Sequence, residues 1–300
     1  MAVDQAAQQT SKQSSPMESI QPQPEPQPWG TFAPSAVVAR LRAFSSAQGS
    51  NYLGKRLAFL ARKIAMGMMN GALDVEVFGH KLRIEPYANL AEKRVLFTPQ
   101  YFDPVERDWL ARYLPADAIF IDIGANVGAY SFYAAQCAGQ QGRILAIEPQ
   151  PAVYQRLCEN ISFNLGVPIE AIPLAIADVD GPIQLFVDRN NAGETSMRRI
   201  GSDGAHGVTL EVQAKPLATL LADRELPRVD ALKIDVEGAE DLILVPFFDT
   251  APKALWPTLV IIENSPESWH TDCIALMHAK GYTSVAETRL NIVLTRAPDY

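Results

Sequence analysis

From Ala118 onward the chain alternates short apolar runs with amphipathic stretches of about ten residues, the rhythm of strands followed by helices. AIFIDIG, RILAIEP, IEAIPLAIAD, DALKIDVEG and TLVIIEN read as strands. Helices are predicted over 129–137, 152–165, 217–223, 240–247 and 272–280, with a closing strand pair around YTSVAET and NIVLTR. Runs that are apolar throughout must be buried on both faces, so the expected fold is α/β, a doubly wound and mostly parallel sheet. PIQLFVD and VTLEVQAKPL read as further strands, joined by a loop, NNAGETSMRR, long enough to close over a substrate.

The first third lacks this rhythm. Residues 1–34 are rich in Gln, Pro and Ser and predict a disordered tail, because they offer little apolar surface to bury. Residues 35–96 predict a helical extension and a β-hairpin, and 97–300 the main domain, opening with a helix over 104–113. Helical spacing joins Val37, Leu41 and Phe44 in one piece and Leu53, Leu57, Leu60 and Ile64 in another. No acid occurs between Pro26 and Leu73, whereas Arg40, Arg42, Lys55, Arg56, Arg62 and Lys63 do. Helices in 36–70 with that composition suit a peripheral anionic membrane or a partner subunit; the alternative is a helix covering the protein's own core. In LDVEVFGHKLRIEP the alternation on both sides of Gly79-His80 predicts a hairpin with His80 in the turn.

Composition narrows the function classes. A net charge of −8 opposes a phosphate backbone, so nucleic acid is not the expected partner. Three cysteines without C-x-x-C spacing, no basic-then-apolar leader and no membrane-length apolar run predict a cytoplasmic protein with reduced thiols.

The chemistry is expected at the carboxyl ends of the strands, where sheets of this kind hold ligands. In IFIDIGANVG the glycines Gly124 and Gly128 permit a sharp turn, and Asp122 and Asn126 add polar groups at the same edge. G-A-N-V-G fits neither the dinucleotide G-x-G-x-x-G nor a phosphate loop, which favours a nucleoside without a phosphate chain. Glu148, after the next strand, suits two ribose hydroxyls, and Asp178, after the third, an adenine amine. Together these edges describe S-adenosylmethionine. A nicotinamide-dependent oxidoreductase and a non-catalytic adenosine-binding scaffold remain as alternatives.

IDIGANVGAYSF, AIEPQP, the Asn160 and Asn164 of ENISFNLG, AIADVDG and LKIDVEGAE resemble the FkbM family of S-adenosylmethionine-dependent methyltransferases across roughly 97–295. The resemblance implies a class I methyltransferase fold and O-methylation of hydroxyls on sugars, polyketides and related small molecules.

A second constellation lies in KIDVEGAEDL. Lys233, Asp235 and Glu237 converge if the strand stays extended to Gly238. Transfer to a hydroxyl needs a base, for which Asp235 and Glu237 are the candidates, with helix capping as the ordinary reading of Glu237 and Glu240. Asp235, Glu237 and Glu263 could instead hold a divalent cation, although no metal is favoured. Among the histidines His270 is a lesser candidate base, while His206 and His278 read as solvated.

Overall fold

The computed structural model describes residues 27–87, 89–188, 195–196 and 207–297. The chain begins with α1 (Ala36–Ser46), α2 (Tyr52–Gly67), the hairpin β1 (Leu73–Val77) and β2 (His80–Ile84), then α3 (Leu90–Phe97) and α4 (Pro104–Tyr113). The wound region follows as β3 (Ile119–Ile123), α5 (Ala129–Ala138), β4 (Arg143–Ile147), α6 (Pro151–Ser162) and β5 (Ile169–Ile172). Next come β6 (Ala175–Ile176), β7 (Gly181–Asp188), β8 (Thr195–Ser196), β9 (Gly207–Lys215) and α7 (Leu217–Asp223). The chain then returns through β10 (Ala231–Ile234), α8 (Asp241–Thr250), β11 (Leu259–Glu263), α9 (Cys273–Ala279), β12 (Thr283–Glu287) and β13 (Asn291–Thr295).

Seven strands form one sheet in the order β12-β13-β11-β10-β3-β4-β5, parallel from β11 through β5, with β13 and β12 antiparallel. The chain winds outward through β4 and β5, then crosses back to β10 and β11, so the order reverses beside β3. Loops after β3 and β10 therefore diverge and open a crevice at the strands' carboxyl ends. Alternation along the strands sends Phe120 and Ile144 into one core and Ile121 and Leu145 into the other. Truncating a side chain such as the fully buried Phe120 or Phe132 to alanine costs about 3–5 kcal/mol.

The segment read as the end of the third strand behaves otherwise. The parallel sheet takes residues only as far as Ile172; Pro173 interrupts the run, and Ala175–Ile176 pairs with β9 in a separate four-stranded sheet, β6-β9-β7-β8. Apart from Thr195–Ser196, the loop NNAGETSMRR lies outside the described residues, as does His206.

The hairpin and α3 share a core with the sheet, since Val75, Leu82, Leu96 and Phe97 cluster with Phe120 and Phe132. Asn160 and Asn164 on α6 hold the hairpin there: Asn160 Oδ1 accepts the Arg83 amide, and Asn164 pairs with both the amide and carbonyl of Lys81. The turn is Phe78-Gly79, both at positive φ, as a two-residue hairpin turn of matching twist requires. His80 is thus a strand residue opposite Val77, its ring 5.2 Å from Phe132, and burial lowers its pKa.

The tail also ends sooner than expected. Asp74 accepts the amides of Gly30 and Phe32, while Arg83 donates to Asp74, Glu159 and the carbonyls of Gln27 and Pro28. The Arg83 guanidinium lies between the rings of Phe32 and Phe163. Burial alone would push the Asp74 carboxyl up, but Arg83 and the two amides hold it below the usual range. The segment from Gln27 to Phe32 is consequently pinned by polar bonds that a composition argument does not see.

Candidate active site

A cavity of about 300 Å³ opens at the switch point beside β3. Its floor is the β3–α5 turn. Gly124 has φ +76, and a Cβ there would lie 2.0 Å from the carbonyl oxygen of Asp235, so this glycine is required by the neighbouring strand end. Asn126 occupies a left-handed conformation too, at φ +53, where asparagine is tolerated because its short side chain bonds locally. Its Oδ1 accepts the Val127 amide at 2.8 Å and the Asn89 side-chain amide at 2.9 Å.

On the β4 side, Glu148 Oε2 accepts the Asn126 amide at 3.0 Å and Oε1 the Gln150 amide at 2.9 Å. Two fixed amides thus orient this carboxylate, which lines the cavity beside Gly124, Asn126, Pro149 and Val153. Burial raises its pKa to about 7 against the amides' opposition. A narrow apolar slot adjoins it, with Gly124, Pro149 and Val236 common to both and Ile147 and Leu174 in its wall.

On the β10 side the strand ends at Ile234, and the backbone reverses through Glu237 at φ +55. Extended alternation is lost before Gly238, yet Lys233, Asp235 and Glu237 all line the cavity because the turn folds back over it. The turn is held by Glu240, whose Oε1 accepts the Val236 and Gly238 amides and whose Oε2 accepts the Trp269 indole N–H at 2.6 Å. Lys233 Nζ donates to Asp235 Oδ2 at 3.0 Å and stands 3.9 Å from Asp122 Oδ1. Burial alone would lower the Lys233 pKa; the Asp235 and Asp122 charges raise it. The Asp235 side chain is 38 % exposed.

Glu263, ending β11, closes this side. Its Oε2 is buried without a hydrogen-bond partner among the described residues. Burial, then the charges of Asp235, Glu237 and Glu240, push its carboxyl up to about 9, so it carries a proton at neutral pH. No group of three His, Cys, Asp or Glu that could hold a metal ion occurs among the described residues.

Three expected ligand-contacting positions stand elsewhere. Asp122 is fully buried behind the floor, accepting from Ser131 Oγ at 2.6 Å. Burial raises its pKa, and the lysine bonds preferentially to the nearer Asp235. Gly128 caps α5 at φ +97, where a Cβ would meet Leu157 and Phe132 at 2.9 Å; its role is helix packing. Asp178 must be corrected: it is exposed and absent from the cavity wall, because the chain leaves the parallel sheet after Ile172. His270 exposes 82 % of its side chain, and His278 reaches Ser284 Oγ at 3.0 Å; neither lines the cavity.

The remaining wall comes from residues the sequence did not single out. Asn89, Leu90 and Arg94 arrive from α3 and its cap, so a boundary at residue 97 cuts through the site. Arg94 Nη2 donates to Asp103 Oδ1 at 2.6 Å, and the Tyr130 hydroxyl to Asp103 Oδ2 at 3.0 Å. Burial foremost, with Asp103 behind it, holds the Tyr130 pKa well above its ordinary value. Tyr130 follows the glycine turn by two positions, a signal available in the sequence; nothing local marks Arg94.

Comparison with known proteins adds a family. The sequence profile described as Methyltransferase FkbM domain matches residues 122–284, more than half of the chain. Methyltransferase sdnD of Sordaria araneosa is 28% identical over 196 residues, covering 56% of this chain and 75% of that protein. Methyltransferase 1 of Beauveria bassiana is 26% identical over 142 residues, covering 42% of this chain and 57% of its own length. Among solved structures, a METTL16 MTase domain aligns over 87% of this chain and 92% of its own at 13% identity, with a TM-score of 0.46.

Proposed function

Since the chain belongs to the FkbM methyltransferases, S-adenosylmethionine-dependent enzymes, we propose that it methylates a hydroxyl of a small molecule, with a sugar or glycoside as the preferred acceptor class. The supporting observation is the division of one cavity into two unlike halves. Gly124, Asn126 and Glu148 line it from the turns after β3 and β4, and Lys233, Asp235, Glu237 and Glu263 from β10, the turn after it and β11.

The first half fits the donor. Glu148 is fixed by two backbone amides and still has lone pairs to accept from a vicinal diol, which would offset the cost of burying its charge. The adjoining apolar slot offers a flat base a dry surface. Bound there, S-adenosylmethionine supplies an electrophilic methyl on a sulfonium sulfur. The nicotinamide alternative falls with the family assignment.

The second half serves the acceptor. Asp235 takes the hydroxyl proton, and Lys233, at 3.0 Å, fixes the direction in which its carboxylate points. Glu263, carrying a proton, donates a hydrogen bond to the acceptor oxygen or a neighbouring hydroxyl and so helps to align it. Glu237 adds a further acceptor at the cavity wall. Many hydrogen-bonding groups around a modest cavity favour a polyhydroxylated molecule, and the acidic chain disfavours nucleic acid.

The test is methyl transfer from labelled donor to a panel of glycosides, amines, carboxylic acids and RNA, with calorimetry on S-adenosylhomocysteine. A base-stable methyl ether on a glycoside is the expected product. A labile ester, an N-methyl product or labelled RNA would overturn the acceptor assignment, and homocysteine-nucleoside binding without turnover on any acceptor would favour a scaffold.

A further inference from the structure

Helix α2 is built inside out. Its inward face carries Gly54, Ala58, Ala61 and Ala65, all buried, and Ser45 Oγ of α1 donates to the Ala58 carbonyl at 3.0 Å across that contact. Small side chains at this spacing let the two helices approach closely. The large aliphatic residues of the same helix, Leu53, Leu57, Leu60 and Ile64, form the adjoining stripe, and each is between 36% and 64% exposed. A helix that merely roofs a core turns such residues inward and leaves its small or polar ones outside.

The charges complete the picture. At 100° per residue Arg56 and Lys63 fall along the outer edge of the leucine stripe, and both are exposed. Every charge between positions 26 and 73 is basic, although the whole chain is at −8. We propose that the outer face of α2 docks on an anionic lipid surface, with the four aliphatic side chains at the headgroup–acyl boundary and Arg56 and Lys63 against lipid phosphates. A second copy of the chain fits poorly. Two-fold pairing through this stripe would set Arg56 and Lys63 against their own counterparts, with no carboxylate in the segment to neutralise them. A bilayer boundary also accepts an aliphatic row without a matching pocket. No helix among the described residues is long and apolar enough to cross a membrane, so α2 lies along the surface. This inference stands independently of the methyl-transfer reading.

Flotation of the full chain tests it, using phosphatidylcholine vesicles with and without phosphatidylglycerol, at low and high salt. Binding is expected on the anionic vesicles and should fall with salt. The Arg56→Glu/Lys63→Glu variant should partition at least roughly thirtyfold less. Leu53→Glu/Leu60→Glu should not float at all, and both variants should keep the wild-type melting temperature because Leu53, Arg56, Leu60 and Lys63 are all exposed. Absence of flotation at low salt overturns the proposal, as does flotation that the leucine variant leaves intact. A concentration-dependent dimer that Leu53→Glu/Leu60→Glu dissolves would assign the face to a second copy instead.

Discussion

Glu148 and Glu263 hold equivalent places, each at the carboxyl end of a parallel strand and each on the wall of one cavity, yet their surroundings make them different reagents. Glu148 meets two backbone amides that no side-chain movement can withdraw. Glu263 meets other carboxylates and has an oxygen with no partner among the described residues. Strand position therefore delivers a carboxylate to the cleft, while the adjacent turn decides whether it serves as a fixed acceptor or a holder of a proton. The β3–α5 turn points N–H groups across at β4; the β10–α8 turn spends two of its own on Glu240.

The contrast can be broken most severely on the acceptor side. Asp235→Asn should lower kcat by about 10²–10⁴-fold, the range typical of a lost general base, while S-adenosylhomocysteine affinity by calorimetry stays near wild type. Normal turnover would remove Asp235 from the chemistry. On the donor side, Glu148→Ala removes an acceptor for two charge-assisted hydrogen bonds and should weaken S-adenosylhomocysteine binding by about 100-fold. An unchanged Kd would place the ribose elsewhere.

Protonation sharpens the comparison. Glu263 is raised from an ordinary value of 4.5 to about 9. Its neutral form is the one the fold prefers, so its contribution is full below pH 4.5 and is lost progressively as pH rises toward about 9. The melting temperature of Glu263→Gln should accordingly gain on wild type across that window; a difference constant with pH would contradict the assignment. Glu148 is raised only from 4.5 to about 7, so its own loss falls in that narrower window. A diol that favours its ionised form should release protons on binding near pH 7, a signal read by calorimetry in buffers of different ionisation enthalpy. The smallest effect is expected from Asp178→Ala, which should alter neither Kd nor kcat; a marked loss of affinity would restore that residue to the site.

Much of this layout is legible in the chain. The helices at 104–113 and 217–223 have the predicted bounds, because Pro, charge and apolar spacing agree there. Apolar runs marked the buried parallel strands, but a run does not say which sheet it joins, and LAIAD thus carried Asp178 to the wrong edge. The expectation of extended backbone past Ile234 failed at Glu237, whose positive φ depends on the Glu240 carboxylate gripping the turn. Arg94 and Asp103 were invisible for a plainer cause: they reach the cavity through packing of α3 and α4 on the sheet, which no local pattern encodes.

The clasp around Arg83 has a practical corollary. A protease or a cloning boundary that stops short of Gln27 leaves the carbonyl acceptors and the Phe32 ring in place. Trimming past Phe32 would deprive Asp74 of both amides and uncover one flat side of the guanidinium, loosening the hairpin whose neighbouring helix borders the candidate site.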